Sequence, residues 1–124
     1  MRMKTVLKSL ALSMAVAAPA LAETKTESSE EKVSFYTQVR PIFQVHCVGC
    51  HQPAKDKGGY VMTDFKRLVG KGDSDELAIV PKDPKKSLLV RLITPENGEA
   101  EMPQGKAPLS PKDIALISSW VKQG

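Results

Sequence analysis

The sequence predicts an all-α fold, one small domain of three to five helices, and two observations predict it. Apolar side chains recur at helical spacing in several short segments, most of them opened by a capping residue or a proline. Little of the chain alternates as a strand would, and no internal repeat is present. The length bounds the size, because 124 residues suffice for one domain.

Residues 1–22 lie outside that domain. Arg2, Lys4 and Lys8 form a positive start, an apolar stretch follows from Leu10 to Ala18, and Pro19 precedes the small-residue signature Ala20-Leu21-Ala22. This is the layout of a secretory signal peptide processed after Ala22. An apolar run of about ten residues is too short for a bilayer, which needs about 20. The mature protein is therefore expected in the periplasm, with no stable membrane insertion after cleavage.

Without the leader the formal charge falls from +4 to about +1. That removes the basic excess a nucleic-acid partner would require, so none is expected. The apolar fraction falls to roughly 35%, thin for a self-supporting core of this size. Something besides side chains is expected to fill the middle. Residues 23–32 contain no apolar side chain and are expected to form a disordered lead. The folded domain is placed at 33–124.

Within it, Ser34 is a plausible N-cap for a segment with Phe35, Val39, Ile42, Phe43 and Val45 at near-helical spacing. Pro41 either kinks this helix or opens its main part. Gly58-Gly59 marks a turn, and a short helix is expected around Asp64 to Val69. Asp83-Pro84 begins a helix carried to residue 93 by Leu88, Leu89, Leu92 and Ile93. A long proline- and glycine-rich loop spans 94–109, and such loops in compact domains are usually functional. Ser110-Pro111-Lys112-Asp113 opens the last helix, whose apolar face is Ile114, Ile117, Trp120 and Val121. Trp120 is expected to pack against Val39 and Phe43.

The chain's two cysteines stand as Cys47-Val48-Gly49-Cys50-His51. This is the attachment pattern of a c-type haem. Each thiol adds its S–H across one vinyl double bond of the porphyrin, giving a thioether with nothing released. The adjoining imidazole then serves as proximal iron ligand. A disulfide across this spacing would be strained and would close almost no loop. A thioredoxin-like pair wants a βαβ setting, and a zinc site wants a second pair of ligands. One covalent haem c would also supply the missing core surface.

Three of the five methionines leave with the signal peptide, so Met62 and Met102 remain. Met62 follows His51 too closely to reach the far face of a haem and is expected to fill core. Met102, stiffened by Pro103 in the long loop, is expected to be the second iron ligand. His46 is held near the attachment edge and is not expected to ligate. The lysines between 55 and 86 read as a mostly solvated face that could steer an acidic redox partner.

These residues resemble the small monohaem class I cytochromes c, and more closely the planctomycete-type cytochrome c domain. The likeness rests on Val39-Arg-Pro-Ile-Phe43, the haem motif, Ile79-Val-Pro-Lys-Asp-Pro84 with Ser87-Leu-Leu-Val90, Met102-Pro103, Leu109-Ser110 and Ile117-Ser-Ser-Trp-Val121. Gln104 departs from it where a second proline is usual, and Lys82 where glycine is expected. The resemblance implies helices wrapped around one haem, ligands at Cys47, Cys50, His51 and Met102, and single-electron transfer between redox protein donors and acceptors. A monomer, or a subunit docking on a larger redox complex, is expected, and not an enzyme. The competing expectation is a haem enzyme or gas sensor with an open or labile distal site.

Overall fold

The N-terminal segment and the last helix meet because each buries an apolar stripe in the same core cluster. The computed structural model describes residues 30–124, so the signal peptide and residues 23–29 of the lead lie outside the described residues. Four α-helices are described: α1 (Arg40–His46), α2 (Phe65–Val69), α3 (Leu88–Ile93) and α4 (Pro111–Gln123). Val39 and Phe43 at the start of the chain are buried with Ile117 and Val121 of α4. Trp120 stands edge-on to Phe43, with ring centroids 6.5 Å apart, as the sequence led one to expect. Among the described residues no helix is long and apolar enough to cross a membrane.

Pro41 opens α1, and the lead-in before it is a single wide π-helical turn, Phe35–Val39, capped by the Ser34 hydroxyl accepting from the Thr37 amide. Glu30 to Val33 are fastened to the last turn of α4. Lys122 Nζ lies 3.2 Å from Glu30 Oε1, Gln123 Nε2 donates to the Glu31 carbonyl, and the Val33 backbone amide donates to Gln123 Oε1 at 2.8 Å.

The helix expected from Asp83-Pro84 to residue 93 is in fact two pieces, a 3-10 turn at Pro84–Lys86 and then α3. Ser87 divides them. Its side chain is fully buried, and its hydroxyl bonds the Val80 amide, the Val80 carbonyl and the Asp83 carbonyl. Those bonds hold Ser87 in extended backbone (φ −78, ψ 115), which no helix can pass through.

Two further features escaped the pattern reading. A two-residue antiparallel ladder pairs β1 (His51–Gln52) with β2 (Lys55–Asp56), His51 facing Asp56. Lys82 adopts φ 67, the left-handed region that favours glycine, which explains why glycine is the expected residue there. At α4 the Ser110 hydroxyl accepts from the Asp113 amide and donates to the Asp113 carboxylate, so the capping box closes through side chains.

Candidate functional site

α1 ends where the thiols begin. The Cys47 and Val48 amides both return to the Phe43 carbonyl, and the Cys50 and His51 amides both return to the Cys47 carbonyl. The five residues thus form one tight turn that presents both thiols and the imidazole together. Both cysteines are free and half-buried. Burial pushes the Cys47 thiol up to about 11, and the nearby Lys106 ammonium offsets part of that. Among the described residues no group of three or more His, Cys, Asp and Glu gathers to hold a metal ion.

His51 is held from three sides by the chain that follows it. The Lys57 amide donates to the Cys50 carbonyl at 3.2 Å, and the Met62 amide donates to the His51 carbonyl at 2.9 Å. The third contact bears on chemistry: His51 Nδ1 lies 3.1 Å from the Tyr60 carbonyl oxygen. A carbonyl only accepts, so Nδ1 carries the proton and Nε2 keeps its lone pair for a metal. Sequence reasoning left this partner unnamed, because a backbone acceptor has no residue type to search for.

Met102 arrives on the long loop. Its amide donates to the Leu92 carbonyl at 2.9 Å, which ties the loop to the end of α3. The Lys106 amide returns to the Pro103 carbonyl at 3.4 Å, and Glu96 and Glu99 pair across a short bridge. Most side chains of this strap are exposed, and Met102 itself is half-buried.

Cys47, Cys50, His51 and Met102 all line one cavity of about 600 Å³. Leu88, Leu89, Leu92 and Ile93 of α3, with Ala78 and Met62, supply its apolar wall. A volume of this order lies within the range of about 300–1,000 Å³ common for cofactor sites. The residues present therefore fit a haem: two thiols at the attachment spacing, an imidazole with its outer nitrogen occupied, a thioether, and an apolar enclosure. Met62 is buried in the core and its backbone is bonded beside His51, which agrees with a packing role. His46 lines the same cavity, one residue before the attachment turn.

Residues 47–105 match the protein-family model described as planctomycete cytochrome C. The matched stretch begins at the first thiol and closes beyond Met102, and it bears out the resemblance read from the sequence. No curated protein and no solved structure matches the chain. The match is consistent with a cytochrome c-type domain, and the helices around it fit an all-α cytochrome fold. Haem c as cofactor and electron transfer with redox partners are what that family implies.

Proposed function

We propose that this cytochrome c-type domain is a periplasmic single-electron carrier with one haem, bound through Cys47 and Cys50 and ligated by His51 and Met102. The observation that carries the reading is the meeting of these four residues in one apolar cavity, with His51 Nδ1 already committed to Tyr60. When bound, haem supplies an iron that alternates between ferric and ferrous states. His51 offers Nε2 as a neutral donor, and Met102 offers a thioether, a soft ligand that raises the reduction potential. With His51 and Met102 holding the group in either state, little in the chain would rearrange when an electron arrives. The leucines of α3 would shield one side of the bound group from water, which would lower the reorganisation that charge transfer requires. Periplasmic location is supported by the leader at 1–22 alone.

The test is an optical spectrum of the exported protein, ferric and ferrous, with carbon monoxide added to the reduced sample. Sharp low-spin ferrous bands, a weak far-red ferric band from sulfur ligation and indifference to carbon monoxide are expected. High-spin bands that shift with the gas would replace the carrier with an enzyme or sensor. The intact mass of the periplasmic form is expected to begin at Glu23.

A further inference from the structure

We propose that the Tyr60 side chain is the positioning residue for the proximal ligand, fixing the orientation and donor strength of His51 from outside the metal site. The inference rests on the reading of His51 as an iron ligand. Tyr60 touches His51 twice: its carbonyl faces Nδ1 at 3.1 Å, and its ring stands edge-on to the imidazole, centroids 5.5 Å apart at 67°. Where that carbonyl sits depends on where the side chain is anchored. The Tyr60 hydroxyl donates to the Leu68 carbonyl in the last turn of α2. Carbonyls of a final helical turn lack partners within the helix, so the bond satisfies α2 and pins Tyr60 at once. A phenol keeps its proton throughout the physiological range, so the hydroxyl is the donor in this bond.

A second chain segment closes on the same residue. The Asp73 amide donates to the Gly58 carbonyl at 2.7 Å. Gly72 lies so close that a Cβ there would overlap the Gly58 carbonyl oxygen and stand 3.1 Å from Tyr60 Cβ. Tyr60 is therefore gripped by α2 through its hydroxyl and by residues 72–73 through its backbone neighbours. An imidazole that donates Nδ1–H to a well-placed carbonyl is a stronger base at Nε2, and a stronger base favours the ferric state. Loosening the phenol should weaken that bond and favour the ferrous state.

The experiment compares the haem-loaded wild-type protein with Tyr60→Phe, which keeps the ring and removes the tie to Leu68. The midpoint potential is expected to rise, with the reduced-to-oxidised ratio at a fixed poise increasing several-fold. Exchange of the His51 Nδ1 proton, followed by NMR, is expected to quicken several-fold. A lower melting temperature with unchanged potential and exchange would overturn the inference, leaving Tyr60 a packing residue. Should Tyr60→Phe load too little haem, Tyr36→Phe protein grown on 3-fluorotyrosine leaves Tyr60 as its one tyrosine, with a stronger donor. Its potential should fall, and an unmoved value overturns the proposal equally. A wild-type haem whose NMR spectrum shows no axial imidazole would instead defeat the His51 ligation on which this rests, whereas a high-spin spectrum alone would count only against Met102.

Discussion

The two arms that reach the cavity are built differently. The arm carrying Cys47, Cys50 and His51 folds back on itself over residues 47–62, and amides of Cys50, His51, Lys57 and Met62 all bond within it. It is backed by α2 and by residues 72–73 through Tyr60 and Gly58. The strap at 94–109 is tied to α3 through the Thr94 and Met102 amides, has only local bonds at Glu96–Glu99 and Lys106 besides, and carries mostly exposed side chains. Segments with few buried contacts open first, so the strap is the arm that opens first. On the proposed function, the difference would divide the roles: one arm would hold the cofactor permanently, and the other would complete the ligation in a way that can be undone.

The largest test of that division removes one arm's chemistry at a time. Cys47→Ser with Cys50→Ser should abolish covalent attachment, so denatured protein on a gel loses its haem stain. Met102→Ala should keep the stain, because both thiols and His51 remain. It should turn the reduced protein from indifferent to carbon monoxide into one that binds it, and lower the potential as the thioether is lost. Loss of covalent haem in Met102→Ala would break the comparison, since the strap would then be needed for loading as well.

Much of the covalent arm was legible in the sequence, because thioether chemistry dictates a contiguous pattern that a reader can find without the fold. That Met102 would come to the same site as the thiols was legible by elimination together with the proline-rich loop, and it does line the cavity. The last helix was legible from Ser110-Pro111, whose capping chemistry is local. What the sequence could not yield depends on atoms without a residue signature or on tertiary neighbours. The Tyr60 carbonyl is a backbone group, the importance of Gly72 depends on Gly58 lying opposite it, and the break at Ser87 requires its hydroxyl to be buried beside Val80.

Glycine substitutions sharpen the comparison at smaller scale. Gly72→Ala forces a Cβ against the Gly58 carbonyl and Tyr60 Cβ, and overpacking of that kind costs about 1–3 kcal/mol. Gly98, on the strap, has φ 87 and nothing within 4 Å of its would-be Cβ. Its replacement by Ala costs backbone strain of about 1–2 kcal/mol, partly offset by a stiffer unfolded chain worth about 0.4–1 kcal/mol. Thermal melts of the haem-loaded variants should therefore rank Gly72→Ala below Gly98→Ala. Equal losses would mean that the strap is packed as firmly as the covalent arm.

The smallest expected effect falls on a residue outside both arms. Asp83 caps the 3-10 turn at Pro84–Lys86: its carboxylate accepts from the Lys86 amide at 3.1 Å, and the Lys86 ammonium stands 3.4 Å away. That backbone bond first, with the Lys86 side chain assisting, holds the Asp83 carboxyl below its ordinary value. A depressed folded pKa means that the carboxylate's contribution is complete above the unfolded value of about 4 and fades as pH falls through the folded one. Asp83→Ala should therefore lower the melting temperature slightly at pH 7, and the gap from wild type should close in more acidic solution. Asp83→Asn keeps an acceptor for the Lys86 amide without the charge, so it should melt between the two at pH 7. Because Asp83 does not line the cavity, the haem spectrum and its indifference to carbon monoxide should be the same in all three proteins. A spectral change in either variant would tie the 3-10 turn to the ligation through Ser87 and α3, and the two-arm division would have to admit a third support.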